Sequence, residues 1–493
     1  MARAGTAGGR AGRSTSGRIG RIGGGLVGWL VVVEFTSGVL QGYYVPLLTD
    51  LARHLGIHDA DVNWLEAAQL MLSAIAVPVL AKLGDLHGHR RVLLVSAVVT
   101  AVASLALAVA PTFPLFLAAW AVQGCYVAWL PLQVALIHAR SRGVPDPAAR
   151  TRRATGVIVA ALQAGAIGGA LAGGQLGGAL DLTVVLLVPA LLVVGVCVVI
   201  ALRVPESEGR TSGEVDTGGA VLLSLVLLVV TGGLTLVRLD GDAAWPWLVT
   251  ALGVLLVVPF VRFELRRPDP LVDFRVLRSP SMWPVQLTAA LFGVSVLGAQ
   301  GPLSTFARTD PAVYGYGLGL STSAVSIVIG GYVVSMLAGA AGFSRVSALT
   351  SPRTTLIGAA TLTGTGYLLL VPFHGSLAQV LGAMVVAGLG SGALVAAIPA
   401  AAAAAAVPGR TAVATGLTNT TKVLGGTFAS AAFALALASD VPTLADGTEG
   451  TAGSLSGYVT VWVICGVTAL LAAVALLVVP RLAFSDPLPG PVA

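Results

Sequence analysis

Two ionisable side chains stand where a lipid bilayer would make them costly. Glu34 lies 12 residues past Ile22, the start of a long apolar run. At ~1.5 Å per residue that is about 18 Å along a helix, close to the middle of a hydrocarbon core about 30 Å thick. An ionised carboxylate at that depth costs about 2.5 to 3.5 kcal/mol on insertion scales. Such a group is suited to taking up and releasing a proton, or else sits neutral and hydrogen-bonded to a neighbouring helix. Lys422 lies 10 residues past Ala412 in another apolar run, about 15 Å in by the same rise. It needs Glu34, an anionic substrate or water as a partner. Both residues are candidates for proton coupling.

A third chemical feature is the charged stretch AKLGDLHGHRRVLL from Ala81 to Leu94. Gly84 and Gly88 permit a tight turn between two helices. Asp85 is placed to pair with Arg90 or Arg91, or to cap the helix that follows. A charged lock of this kind can hold one end of a rocking protein shut, and a simple basic loop that fixes orientation is the alternative. Polar residues also interrupt the apolar runs: Gln41, Gln123, Gln133, Gln286 and Gln300, beside the aromatic Trp120 and Trp129. Glu66 and His138 lie near the ends of runs and are expected at the headgroup level.

The elements that must position these residues are membrane spans. Of 493 residues, 56% are hydrophobic and 10% charged, against about 25% charged in soluble domains. Mean hydropathy is +0.90. The net charge of +6 is not gathered into a basic face on a solvated domain, so nucleic-acid binding is not expected. Lys82 and Lys422 are the only lysines and neither follows a glycine, so a phosphate-cradling loop, and with it ATP as a partner, is not expected. Cys125, Cys197 and Cys465 all lie inside apolar runs, without CxxC or histidine partners. They read as packing residues, and no metal or other cofactor is expected. No HExxH or GxSxG motif occurs, so an enzyme is not expected.

A span needs about 20 apolar residues, and fourteen such segments can be counted. Six lie at 22–46, 62–83, 92–110, 113–138, 154–178 and 181–202. Two follow at 218–238 and 246–263, and six more at 282–307, 318–342, 353–372, 376–406, 412–438 and 456–479. With the N-terminus inside, 24 of the 28 basic residues fall on the inner side, 3 outside and one within a span, which predicts two cytoplasmic termini. The first run is too long for a signal-peptide core, so residues 1–21 are expected as a disordered basic tail and 480–493 as a second tail.

The chain also repeats. Arg150–Gly156 reads RTRRATG and Arg410–Gly416 reads RTAVATG, and each opens a helix with a glycine pair, Gly168 with Gly169 and Gly425 with Gly426. Two homologous six-helix halves, 22–202 and 282–479, are expected to flank a 203–281 linker with an inserted helix pair. The expected fold is therefore an all-α polytopic membrane protein, two inverted-repeat bundles plus that pair.

These motifs carry a resemblance. The Ala81–Leu94 stretch resembles the GxLxDxxGRR signature of the major facilitator superfamily, with Ala81 at the first Gly and His89 at the first Arg. Gln123 and Gly124 fall where that family has RxxQG, and Asn419–Gly426 (NTTKVLGG) is similar to its NxxRxxGG. With fourteen spans the chain resembles the drug:proton antiporter branch. The resemblance implies that helices one, four, nine and twelve line a central cavity, which makes the glutamines and tryptophans above substrate-cavity candidates. It also implies that Asn419, Gly168, Gly169, Gly425 and Gly426 lie between the halves. Three departures stand out: Trp120 replaces the helix-four arginine, AGAIGG (Ala164–Gly169) lacks the proline of GPxxGG, and DxTxxNxxxP shrinks to Glu34, Thr36 and a displaced Pro46.

The expectation is a monomeric, proton-coupled exporter of a small amphipathic organic molecule in a bacterial inner membrane. Uptake or exchange of a metabolite, and a membrane sensor or scaffold that moves nothing, remain the alternatives.

Overall fold

The computed structural model describes residues 14–141, 147–206, 215–240, 243–268, 270–280, 282–405, 411–441, 443–444 and 448–478. Helix α1 (Ser14–Tyr43) passes through a 3-10 turn (Val45–Leu47) into the short α2 (Leu48–Leu55). A second 3-10 turn (Asp59–Asp61) leads into α3 (Val62–His87), and α4 (His89–Val109) follows across Gly88. The next span is interrupted: α5 (Phe113–Gln123) and α6 (Trp129–Ser141) flank a 3-10 turn at Gly124–Ala128. Helices α7 (Pro147–Gly177) and α8 (Leu182–Arg203) complete the first group.

The middle of the chain holds α9 (Thr217–Leu239), α10 (Ala244–Leu255), α11 (Val257–Glu264) and the single turn α12 (Phe274–Leu277). The last group opens with α13 (Trp283–Leu297) and α14 (Gln300–Arg308), one span broken at Gly298 and Ala299, followed by the one-turn α15 (Pro311–Tyr314). It continues through α16 (Thr322–Leu349), α17 (Pro352–Leu369), α18 (Leu377–Ala405), α19 (Thr411–Ala438) and α20 (Leu455–Val478).

Among the described residues, 13 helical stretches are long and apolar enough to cross a bilayer, and they coincide with thirteen of the fourteen expected segments. The odd one, 353–372, is occupied by α17. It is helical over 18 residues, but Thr354, Thr355, Thr361, Thr363, Thr365 and three glycines dilute its apolar character. It packs through Gly364 and Gly366 against Gly466 and Ala387. Helix α1 begins at Ser14, ahead of the expected Ile22, and takes in part of the expected tail. The rest of both tails (1–13 and 479–493) lies outside the described residues, as do Arg142, Arg210 and Arg410 of the expected inner loops.

Close helix contact in lipid depends on small residues, and two helix pairs use the device in the same way. On α7, Gly165, Gly169 and Gly173 stand against the main chain of Phe35, Val39 and Tyr43 of α1. In return Gly38 and Gly42 of α1 stand against the carbonyls of Leu162 and Ala166. Between α13 and α19, Gly425 stands on the Ala290 carbonyl and Gly293 on the Lys422 carbonyl. The spacing that relates Arg150 to Arg410 also relates Gly165 to Gly425 and Leu162 to Lys422. Corresponding glycines thus make corresponding contacts.

Buried apolar side chains form one large cluster on α1–α8 and another mainly on α13–α20. A smaller cluster joins α3, α9, α11 and α19. Exposed Val95, Val98, Val102 and Val109 on α4, and Val463, Val467, Leu471 and Val474 on α20, present apolar outer faces, as lipid contact requires.

Candidate functional site

Glu34 is 1% exposed, ten residues into the first candidate span, Gly25–Leu55. Its Oε2 accepts a hydrogen bond of 2.6 Å from Gln133 Nε2 on α6, and Ser37 stands beside it on α1. The 3-10 turn at Gly124–Ala128 sets the phase of α6 that brings Gln133 to face α1. That turn is possible because Gly124 rests on Gln69 and Ser73 of α3, where a Cβ would stand 2.8 Å from the Gln69 carbonyl. Ser73 Oγ donates to the Gly124 carbonyl at 3.0 Å and fastens the contact. Gln133 Oε1 is buried and makes no hydrogen bond among the described residues. A primary amide has a donor end and an acceptor end. The donor end serves the carboxylate, and rotation would offer the acceptor to a protonated acid.

The other cavity candidates divide by exposure. Gln41 is exposed and lies seven residues from Glu34, two helical turns along the same face of α1. The apolar exposed residues Val32 and Phe35 fall on other faces of that helix. Gln300 is half-buried and donates to the Val296 carbonyl at 3.2 Å. Trp120, Gln123, Trp129 and Gln286, by contrast, are buried in helix contacts and do not line an accessible surface. Gln123 Nε2 donates to Tyr44 Oη and Ser104 Oγ, both at 2.9 Å. Trp120 packs edge-on against Tyr44 at 4.8 Å. Trp129 Nε1 donates to Ser96 Oγ at 3.1 Å. Gln286 Nε2 donates to Thr418 Oγ1 and its Oε1 accepts from Thr421 Oγ1, each at 2.9 Å. Buried polar groups mostly find partners, and those of Gln123 Nε2, Trp129 and Gln286 join neighbouring helices, whereas the Trp120 indole N–H makes no hydrogen bond among the described residues.

Glu66 was expected at the headgroup level. It is half-buried on α3, with no hydrogen bond or ion pair among the described residues. Its neighbours Leu65 and Ala67 are buried.

Lys422 makes no ion pair with Glu34, which is held by Gln133 on its own side of the molecule. It is half-buried, and among the described residues its ammonium has neither hydrogen bond nor ion pair.

The expected charged lock is rearranged. Gly88 has φ +105°, which only glycine adopts readily, and a Cβ there would meet the Glu206 carboxyl at 2.7 Å. Glu206 accepts from the backbone N–H groups of Arg90 (2.9 Å) and Arg91 (3.2 Å). It thereby satisfies donors that the start of α4 leaves open. Asp85 instead pairs with His89 at 3.2 Å. The Arg90 Nη2 donates to the Ala201 carbonyl at 2.6 Å, at the end of α8. These bonds tie the α3–α4 corner to α8 within the first group. Arg353 at the start of α17 does the same at the end of α20, its Nε donating to the Leu476 carbonyl at 3.0 Å.

Among the described residues, the hydrogen bonds between the first and last groups gather at the opposite pole, beside α2. Arg308 Nη2 donates to Asp50 Oδ1 at 2.6 Å and Thr322 Oγ1 to Asp50 Oδ2 at 2.7 Å. Ser304 Oγ donates to the Val45 carbonyl at 2.6 Å, and the Asp59 N–H to the Thr451 carbonyl at 2.9 Å. The expected interface glycines are mostly elsewhere. Gly169 packs on Val39 and Gly425 on Ala290, each within its own group, and Gly168 has only the Phe35 ring near it, at 3.9 Å. Gly426 does reach across, to Leu70 at 3.0 Å, and Gly174 meets Ser326 and Thr322. Asn419 is half-buried with no hydrogen bond among the described residues.

The wider comparisons agree with this architecture. The chain is similar to the cephamycin export protein CmcT of Amycolatopsis lactamdurans, 29% identical over 464 residues covering 90% of this chain and 89% of that one. It is 28% identical over 444 residues to the puromycin resistance protein of Streptomyces alboniger, covering 85% of this chain and 83% of that one. The multidrug efflux pump LfrA of Mycolicibacterium smegmatis is 28% identical over 332 residues, 66% of this chain, and the chain spans 62% of its length. The nucleoside transporter NupG, solved as a mutant, superposes with a TM-score of 0.64 at 13% identity over 92% of this chain and 99% of its own, which establishes the fold. The sequence profile of the Major Facilitator Superfamily matches residues 30–430, and the chain belongs to that family of membrane transporters.

Proposed function

We propose that the protein is a secondary active transporter that exports a small amphipathic organic molecule in exchange for protons. The observation that carries this reading is the pair Glu34 and Gln133, a carboxyl at 1% exposure within the first span held at 2.6 Å by a side chain able to serve both of its protonation states. Export rather than uptake is favoured by the likeness to CmcT, a cephamycin export protein, and LfrA, a multidrug efflux pump. On this reading α17 completes fourteen spans. Residues 22–202 and 282–479 are the two halves, and 203–281 is the linker with its inserted pair. Both termini face the cytoplasm of a bacterial inner membrane, and the α2 pole faces out.

The mechanism is alternating access. On this reading the bonds of Asp50 with Arg308 and Thr322 close the outer pole, and cargo enters from the inner side. Cargo and the Glu34 proton are exclusive: the proton leaves to the inner side as cargo loads, and the charged form, which costs about 2.5 to 3.5 kcal/mol in mid-membrane, is offset there by a partner or water. The transporter then reopens outward when the Asp50 contacts part, and the pole recloses with Glu34 reloaded.

Accumulation of dyes and antibiotics in an efflux-deficient host tests this reading. The wild-type chain should lower accumulation of at least one compound, and both Glu34→Gln and a protonophore should abolish the effect. Export that survives Glu34→Gln unchanged would contradict it.

A further inference from the structure

The six C-terminal spans contain no aspartate or glutamate, and Lys422 is the one charge in their interior. An unneutralised ammonium at that depth costs about as much as a carboxylate, so something must compensate it. Packing does not require it. The equivalent position on α7 is Leu162, and at both positions the backbone carbonyl alone receives the facing glycine, Gly38 or Gly293. Leucine therefore fulfils the same structural task without the charge. The acids of the first group do not neutralise it either. Glu34 is bound to Gln133, and Glu66 makes no ion pair among the described residues.

What surrounds Lys422 is a patch of hydrogen-bonding groups without an acid. Thr418 and Thr421, within a turn of it, hold Gln286 of α13, and Asn419 stands half-buried nearby on α19. On α19 the lysine lies between the face that meets α13 through Gly425 and the face that meets α3 through Gly426. The residue as a whole is half-buried there.

We infer that Lys422, a lone mid-span cation on a packing position that leucine fills in the repeat, is the recognition point for an acidic group of the cargo. A carboxylate, sulfonate or phenolate on an otherwise apolar molecule would complete the ion pair the protein leaves open, with hydroxyl and amide donors beside it. The cargo is thus an amphipathic organic acid or an amphoteric molecule. This rests on the transport reading, and the two fail separately in the experiment below.

Because Lys82 and Lys422 are the only lysines, acylation by a small water-soluble amine reagent, read peptide by peptide, reports Lys422 with Lys82 as internal reference. The full chain in nanodiscs is labelled alone, with three aromatic acids (fluorescein, anilinonaphthalene sulfonate and salicylate), and with the cationic ester rhodamine 6G. At least one acid should slow acylation of Lys422 by about tenfold, the worth of one charge-assisted hydrogen bond. Lys82 should be unaffected, and rhodamine 6G should give no such protection. Binding of that acid, followed by fluorescence, should be lost in Lys422→Leu and kept in Lys422→Arg. Protection that persists in Glu34→Gln leaves the assignment standing even where proton coupling fails. The assignment is overturned by a Lys422 closed to the reagent, by one rate with and without all three acids, or by equal acid binding in Lys422→Leu.

Discussion

The two ends of the chain share a packing scheme and differ in the chemistry placed on it. In the first group, α1 and α7 approach through Gly38, Gly42, Gly165 and Gly169; in the last, α13 and α19 approach through Gly293 and Gly425. Arg90 and Arg353 each donate to the final carbonyls of their group's last helix. Within the spans, the first group adds Glu34 and Glu66 to the shared scheme, whereas the last adds Lys422 and no acid. Glycines and terminal arginines therefore belong to the scaffold that both groups need. The unmatched ionisable residues are what one group has and the other lacks, and there a transport role is to be sought.

The largest effects should come from the shared scaffold. Leucine at Gly165 or Gly425 would drive a side chain into the main chain of Phe35 or Ala290. Each should lower stability by more than about 3 kcal/mol, or abolish folded protein. Gly195 has open space around it, so leucine there should be tolerated. Thermal unfolding in detergent followed by size exclusion checks all three. Comparable tolerance at Gly165 and Gly195 would break the comparison.

The glutamines sharpen it next. Gln286→Leu removes two hydrogen bonds between α13 and α19 and should cost about 1 to 3 kcal/mol of stability, while proton-driven transport persists in the folded fraction. Gln133→Leu removes the partner of Glu34 and should abolish proton-driven transport with a similar stability loss. Stability curves paired with pH-jump transport assays separate the two.

A smaller effect is expected at the α2 pole. Asp50→Asn weakens the contacts to Arg308 and Thr322, so on the proposed orientation the outer pole should open more often. A cysteine at exposed Gln41 should then react about threefold to tenfold faster with a membrane-impermeant thiol reagent added outside, a shift of roughly 1 kcal/mol in the open population. An unchanged rate would detach this contact from gating. Smallest of all, Arg90→Gln and Arg353→Gln should each cost about 1 kcal/mol, alike in size, measured as shifts in unfolding midpoint.

Much of this was legible from the residues in order. Spans were visible because lipid demands long apolar runs, and only α17, rich in threonine, fell short in apolarity. Glu34 was found because depth follows from counting residues along a helix. Partners were not legible. Asp85 looked like the mate of Arg90, yet Glu206, more than a hundred residues away, takes the backbone of both arginines. Trp120, Gln123 and Trp129 looked like cavity lining because a linear reading assigns a residue to a helix without fixing its face. Helical phase relative to Glu34 would have singled out Gln41 from the other glutamines.

The most direct test is transport by the purified full chain in proteoliposomes, measured two ways on the wild type and Glu34→Gln with a compound exported in cells. The account predicts that Glu34→Gln retains exchange of labelled for unlabelled compound, which needs only alternating access, and loses accumulation driven by an imposed pH gradient. Equal gradient-driven accumulation in both proteins would contradict the claim that the buried Glu34 carries the proton.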